Sequence, residues 1–431
     1  MPTGVLGELR RRAELNTPIR VAIVGSGDYG RGLVDQLLHA PGMEPTIVCD
    51  AVVERARAAL IDSGVPPEQI GDADTSSRMV DLRRAGQLIC TASYQAAVEA
   101  DVDVVVECTG DPETGARVAH AAIRAGKHVV MVTVESDVTV GVELARLARE
   151  HDVVYSLADG DQPSLIVGLA DWARCLGFEL EAAGKWTTVY QADQAVRRLE
   201  SIARPTTSDV TYLDGSKTQI ECAATANALG LTVDTDAMHG WWVALENLPE
   251  VMRPTVQGGR LERRGVVDYI DCGRDTKPPT KSFPGGVWVV ARSDARTALQ
   301  IMAQKGVLTN SAGTHALFYR PYHLVGGETP WSVIAAVVDR TATACPRDSR
   351  YVETVAIVKR NVRVGDRLRG LGSDDTRAMA IAAAAAESAG LLPVGLAAGC
   401  RMAQSRPAGA ILTYDDVVPP DDALLWKLRR P

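Results

Sequence analysis

The sequence predicts an α/β chain, with a doubly wound parallel sheet over residues 1–160, a mixed α+β region over 161–345 and a small β-rich module over 346–431. Three observations carry that prediction. Short apolar runs of β propensity alternate with helix-like stretches from residue 19 to about 158, the rhythm of parallel strands joined by right-handed crossovers. A glycine-rich turn follows the first of those runs directly. From about residue 350 the rhythm changes to apolar steps set off by Gly turns. At 431 residues the chain is also too long for one hydrophobic core.

Residues 1–18 read as a helical lead-in. In the first region strands are expected at 20–24, 45–49, 103–107, 128–133 and 153–156, with helices at 30–39, 52–63, 92–99, 113–125 and 141–150. The run Val21-Ala22-Ile23-Val24 enters Gly25-Ser26-Gly27-Asp28-Tyr29-Gly30, the Gly-x-Gly-x-x-Gly spacing that holds a pyrophosphate between a strand and a helix. Gly25 makes the turn, Gly27 lets the backbone approach phosphate, and Gly30 lets the helix pack on the strand. The helix start adds free N–H groups and a positive dipole end.

The second apolar run ends in Asp50, about twenty residues past the last glycine, where a carboxylate meets ribose hydroxyls. This context makes the first region a Rossmann domain for NAD. Asp50 would repel a 2′-phosphate, while Arg55 one helical turn onward leaves NADP open. The third run, Val104-Val105-Val106-Glu107, ends in Cys108-Thr109-Gly110 at the carboxyl edge of the sheet, where the nicotinamide or its ribose is expected. Lys127 and His128 lie at the opposite edge and read as solvated surface residues.

Past residue 158, Asp161 and Ser164 read as caps of the next helix rather than as metal ligands, and no metal site is expected. Gly184-Lys185-Trp186-Thr187-Thr188 reads as a strand-to-loop crossing rich in hydrogen-bond donors. Asp214-Gly215-Ser216-Lys217 leads into a helix over 219–229. Lys217 in its first turn opposes the dipole, so it faces either a ligand or, snorkelling, solvent. His239, Arg320 and His323 add titratable or cationic groups on loop-like stretches, the last two spaced to share one anion. In the last module an alanine-rich helix is expected over 377–389.

The net charge of −8 speaks against nucleic-acid and anionic-membrane partners. The eight cysteines are dispersed, with no Cys-x-x-Cys pair, as reduced thiols would be. No apolar run reaches membrane-spanning length, and residues 1–18 carry charges without an apolar signal core, so a cytoplasmic protein is expected.

The sequence resembles the oxidoreductase family that joins a homoserine-dehydrogenase-like first half to a C-terminal SAF domain, and it is most similar to the 1-deoxy-D-xylulose 5-phosphate reductoisomerase-like members. The resemblance rests on Gly126-Lys127-His128, Val134-Glu135-Ser136-Asp137, Gly160-Asp161-Gln162-Pro163-Ser164, Asp214-Gly215-Ser216-Lys217-Thr218, Ala237-Met238-His239-Gly240 and Arg320-Pro321-Tyr322-His323. Two departures stand out. Val134-Glu135 replaces the Asn-Lys of homoserine dehydrogenases. Gly184-Lys185-Trp186-Thr187-Thr188 replaces the lysine- and asparagine-rich stretch of the reductoisomerase-like members and is closer to a homoserine dehydrogenase loop.

These readings converge on an enzyme, a homo-oligomer (dimer or tetramer), that moves a hydride to or from a small polyhydroxylated or phosphorylated carbonyl or alcohol. The nicotinamide is expected near Thr109 and Gly110, with the substrate between it and the second region. Lys217 is the candidate general acid, Asp214 the group that orients it, and Glu135 a second proton-transfer candidate. Lys185, Thr187, Thr188, His239, Arg320 and His323 are the candidate substrate contacts, suited to a phosphate or carboxylate. A simple dehydrogenase, an epimerase or cyclase with tightly held NAD, and a cofactor-binding regulator are the alternatives.

Overall fold

The structure, a computed structural model, describes residues 4–190, 192–203, 205–273 and 283–429. Its contacts form two units, Met1–Asp161 with Leu324–Cys345, and Gln162–His323 with Pro346–Pro431.

The first unit begins with α1 (Val5–Glu14), β1 (Ile19–Val24), α2 (Asp28–His39), β2 (Met43–Cys49), α3 (Val53–Asp62), β3 (Ile70–Asp72), α4 (Ser76–Arg84) and β4 (Leu88–Thr91). It continues through α5 (Tyr94–Glu99), β5 (Val104–Glu107), α6 (Pro112–Arg124), β6 (His128–Met131), α7 (Val134–Glu150) and β7 (Tyr155–Leu157). The strands form one sheet in the order β3-β4-β2-β1-β5-β6-β7, with every pairing parallel. Burial on both faces explains the near-continuous apolar strands: Val21, Ala22, Ile23, Val104, Val105 and Val106 are inaccessible. Leu9 of α1 and Val333 and Ile334 of the helix Thr329–Ile334 complete the core. The chain runs outward from β1 in one direction and from β5 in the other, so the crevice between their carboxyl ends is the switch point where an open α/β sheet binds ligands.

Three expectations here change. The segment between residues 63 and 92 holds β3, α4 and β4, strands of only three and four residues whose signal is too short for periodicity. Helix α7 starts at Val134 rather than 141, because burial of Val134, Val138 and Val140 outweighs the low helix propensity of a Val- and Thr-rich stretch. His128 is buried rather than solvated: its Nδ1 accepts the Val154 N–H at 2.9 Å and its Nε2 lies 3.2 Å from Arg340. Burial and then the Arg340 charge hold its pKa below the ordinary value.

The second unit contains α8 (Gln162–Cys175), β8 (Glu179–Thr187), α9 (Ala192–Glu200), α10 (Thr207–Leu213), α11 (Ser216–Leu229), β9 (Thr232–Val233) and β10 (Val266–Asp271). β11 (Val287–Arg292), β12 (Leu308–Thr309) and β13 (His315–Arg320) follow, and β14 (Val352–Val358) and β15 (Thr376–Ala382) pair in a separate antiparallel ladder. The six-stranded sheet runs β12-β13-β11-β8-β10-β9, with β8 parallel to β10 and antiparallel to β11. Alternation along β8 sorts its side chains: Trp186 enters a core with Trp288, Leu248 and Ile270, while Lys185 and Thr187 point to the face that carries α11. Ser164 lies inside α8, with its hydroxyl buried and without a hydrogen-bond partner, so it is no cap.

The expected helix over 377–389 divides into β15 and the helix Ala383–Ser388. The ladder with β14 and bonds to α11 outweigh the helix propensity of alanine: the Ala378 N–H donates to Ser216 Oγ and the Ala380 N–H to Gln219 Oε1, each at 2.9 Å. The C-terminal segment thereby supports the helix that carries Lys217.

Candidate functional site

In the first unit the glycine turn is built as its spacing predicts. Gly25 has φ +104°, and a Cβ there would sit 2.5 Å from the Cys108 carbonyl oxygen. A Cβ at Gly30 would sit 2.0 Å from the Gly25 carbonyl oxygen, whereas one at Gly27 would meet nothing within 4 Å. Packing therefore explains Gly25 and Gly30, and open space in front of the backbone explains Gly27. Gly27 and Asp28, at the amino end of α2, are exposed. Tyr29 turns away: its hydroxyl lies 2.6 Å from Thr329 Oγ1, and burial pushes its pKa far above the ordinary value. Cys108 closes the turn by donating its thiol to the Gly25 carbonyl at 3.0 Å.

Asp50 follows β2 and accepts from the Ser26 N–H at 3.0 Å, the Ser26 hydroxyl at 2.8 Å and the Val52 N–H at 3.0 Å. A carboxylate offers about four lone-pair sites, so one acceptor position is left for a ribose hydroxyl. Arg55 is exposed in the first turn of α3. The open Gly27, the helix start and this acid fit a dinucleotide.

At the end of β5 an unanticipated residue organises the nicotinamide edge. Glu107 is fully buried, and its Oε1 accepts the Thr109 N–H at 2.7 Å, the Thr109 hydroxyl at 2.6 Å and the Thr133 hydroxyl at 3.0 Å. The Gly110 N–H in turn donates to Thr133 Oγ1 at 3.0 Å. Burial holds the Glu107 pKa above its ordinary value against the lowering effect of those bonds. An acid closing a run of three valines is the signal that could have revealed it. Glu135 lies half-buried in the first turn of α7.

In the second unit Lys185 and Glu221 form a buried ion pair, with side chains 4% and 2% exposed. Lys217 Nζ lies 3.6 Å from the other Glu221 oxygen, and its side chain is 33% exposed. Burial raises the Glu221 pKa, but the charge of Lys185 and then that of Lys217 more than offset this and hold it below the ordinary value. Thr218 donates to Thr187 Oγ1 at 3.3 Å beside this cluster. Glu221 escaped notice in the sequence, although it stands four residues past Lys217 on one helical face. Asp214 accepts the Ser216 N–H and pairs with Lys359 Nζ, each at 3.0 Å. The acid facing Lys217 is Glu221.

Thr187, Thr188, Tyr190, Asp214, Thr218 and Tyr269 line a narrow pocket of about 70 Å³. Near it, Ala237 and Met238 both adopt left-handed backbone angles, φ +64° and +63°. Asp268 fixes that loop by accepting the N–H groups of His239 and Gly240 at 3.2 and 3.0 Å. Burial raises the Asp268 pKa against those bonds. His239 Nε2 lies 2.8 Å from buried Asp234. Arg320 stacks over Tyr322 at 4.8 Å, and His323 Nδ1 lies 2.7 Å from the Gly285 carbonyl, so each also has a local partner. Among the described residues no three His, Cys, Asp or Glu side chains are placed to hold a metal, and no helix is long and apolar enough to cross a membrane.

Residues 25–157 match the family model described as homoserine dehydrogenase, NAD binding domain, and residues 160–329 match oxidoreductase DRL, catalytic domain. No curated protein matches the chain. Solved structures overlap it partially. Biliverdin reductase from Synechocystis is 21% identical over 41% of this chain and 49% of its own, with a TM-score of 0.25. The 3-ketoreductase KijD10 from Actinomadura kijaniata is 21% identical over 40% and 48%, with a TM-score of 0.25. The 1-deoxy-D-xylulose 5-phosphate reductoisomerase from Zymomonas mobilis is 15% identical over 48% and 57%, with a TM-score of 0.35. The chain thus spans about half the length of these proteins.

Proposed function

We propose that this chain, whose residues 25–157 match a homoserine dehydrogenase NAD-binding domain and whose residues 160–329 match a DRL catalytic domain, is an NAD(P)-dependent oxidoreductase that moves a hydride to or from a small polyhydroxylated or phosphorylated carbonyl or alcohol. The observation that carries this reading is the Lys185–Glu221–Lys217 cluster, a buried acid shared by two lysines, one of them partly exposed.

When bound, the nicotinamide supplies or takes the hydride. Lys217 holds the proton at Nζ: in the reducing direction it gives this proton to the substrate oxygen as the carbon gains hydride, and in the oxidising direction it takes it back. Glu221 orients that ammonium, and because Lys185 shares the carboxylate, Lys217 is not fully neutralised. Thr187 and Thr188 present hydroxyls to the substrate at the mouth of β8. A simple dehydrogenase without skeletal rearrangement is the second reading, favoured by the Thr187-Thr188 loop. The segment 346–431 is SAF-like in this proposal and supports α11 through β15.

Lys217→Ala should lower turnover about 10²- to 10⁴-fold, the usual contribution of a general acid, with cofactor affinity nearly unchanged. The measurement is nicotinamide absorbance across a panel of sugar phosphates and amino-acid aldehydes; unchanged turnover would remove Lys217 from the chemistry. Asp50 supports a preference for NAD(H), and Asp50→Ala should relax it in a comparison of kcat/KM for the two cofactors. A wild type that already prefers NADPH would overturn that assignment. Cofactor binding without turnover on any substrate would favour a regulator.

A further inference from the structure

A phosphorylated substrate needs an anchor for its anion, and the obvious cation is already taken. Lys185 is buried and committed to Glu221. A different basic site opens on α9, where Gln194, Arg197, Arg198 and Ser201 fall at i, i+3, i+4 and i+7 and line one cleft with Thr188 and Tyr190. The opposite face of α9, Ala195 and Leu199, lines a separate cavity with Val210 and Leu213. The helix is amphipathic, and its basic stripe looks into the cleft.

We infer that this cleft binds the phosphate group of the substrate, with Arg197 and Arg198 as its cationic anchors; the inference rests on the hydride-transfer reading above. Its described walls bring two arginines side by side at adjacent positions of the helix. Guanidinium forks match phosphate oxygens bidentately, and the Ser201 hydroxyl, which donates to the Arg198 carbonyl at 2.6 Å, ties the end of the helix beneath them. The Arg198 guanidinium lies 5.7 Å from the centre of the Tyr190 ring, which gives it a platform.

Position and size agree with this assignment. The cleft lies beyond the carboxyl ends of the parallel strands β8 and β10, the edge at which such strands present ligands. Asp271 fixes the two chain exits by accepting the Val189 and Gly273 N–H groups, each at 3.1 Å. The inner pocket of about 70 Å³ holds only a few heavy atoms, whereas the cleft measures about 480 Å³, and Thr188 and Tyr190 line both. The cleft, and not the pocket, therefore has room for a phosphate group.

The test uses the full chain saturated with NADH, inorganic phosphate as the probe, and phenylglyoxal modification of arginines read by mass spectrometry. With phosphate at about ten times its Kd, modification of Arg197 and Arg198 should slow about tenfold, while Arg10, exposed on α1, is unaffected. Succinate at the same ionic strength should not protect. Arg198→Ala should abolish phosphate protection of Arg197, and because Arg198 is exposed the fold should be retained. No protection, equal protection by succinate, or protection that survives Arg198→Ala would overturn the assignment. Nicotinamide fluorescence in the same samples and in a parallel set with NADPH separates the two proposals: failure to bind either cofactor would sink the oxidoreductase reading, whereas cofactor binding without phosphate protection would sink only this one.

Discussion

Two glutamates, one in each unit, are buried to the same degree and titrate in opposite directions. Glu107 lies under the Thr109 and Thr133 loops with hydrogen-bond donors around it, and burial wins, so its pKa rises. Glu221 lies between two lysines, and their charges win, so its pKa falls. At Glu107 the neutral donors do not offset burial, whereas at Glu221 the two neighbouring cations do. The first acid therefore serves as an architectural acceptor under the nicotinamide edge, and the second as the counter-charge of an acid–base group.

The largest expected effect comes from making the second site resemble the first. Lys185→Met removes one partner of a buried pair and should cost about 3–5 kcal/mol of unfolding free energy by urea titration at neutral pH. The sign of the pH dependence should also reverse. In the wild type Glu221 contributes stability above its ordinary pKa, lost as pH falls through its lowered folded value. Without Lys185 burial dominates, the folded pKa rises, and the contribution is instead lost as pH rises. A variant with wild-type stability at pH 7 would mean that Lys217 alone holds the carboxylate.

The same pair shows which parts of the site can be read in a sequence. The glycine turn is legible because its chemistry is local: the Gly30 Cβ would strike the Gly25 carbonyl five residues earlier. The doubly wound sheet is legible for a related reason, since strands buried on both faces leave apolar runs. Glu107 also acts through Thr133, 26 residues on, and Glu221 through Lys185, 36 residues back, so the short-range patterns with Thr109 and Lys217 show only half of each role. Tertiary contact likewise overrides propensity at α7 and at β15, where pairing with β14 converts an alanine-rich stretch to strand.

A smaller effect tests the first acid. Glu107→Gln keeps a carbonyl at the Oε1 position for Thr109 and Thr133, but turns an amide toward the Thr133 N–H that now donates to Oε2 at 3.3 Å. At low pH, where the wild-type acid is protonated, the variant should be about 1 kcal/mol less stable. A raised folded pKa means that the wild-type contribution is complete below the ordinary value and is lost as pH rises through the folded one. The stability gap between wild type and variant should therefore shrink with rising pH. Urea midpoints across the pH range decide this, and a gap that widens would show that cationic surroundings have been overlooked.

The smallest effect concerns Lys359, which brings the C-terminal segment to the mouth of α11. Its Nζ binds Asp214 at 3.0 Å and the Ser373 carbonyl at 2.9 Å, with 24% of the side chain exposed. A partly solvated pair of this kind contributes about 0.2–1 kcal/mol, so Lys359→Met should lower stability only by that amount. Asp214 would still accept the Ser216 N–H, and the bonds from β15 to Ser216 and Gln219 would remain, so α11 should keep its place. Turnover should then change less than about twofold, in contrast to Lys217→Ala. A loss of turnover comparable to that of Lys217→Ala would move the acid–base centre from Glu221 to the Asp214–Lys359 pair.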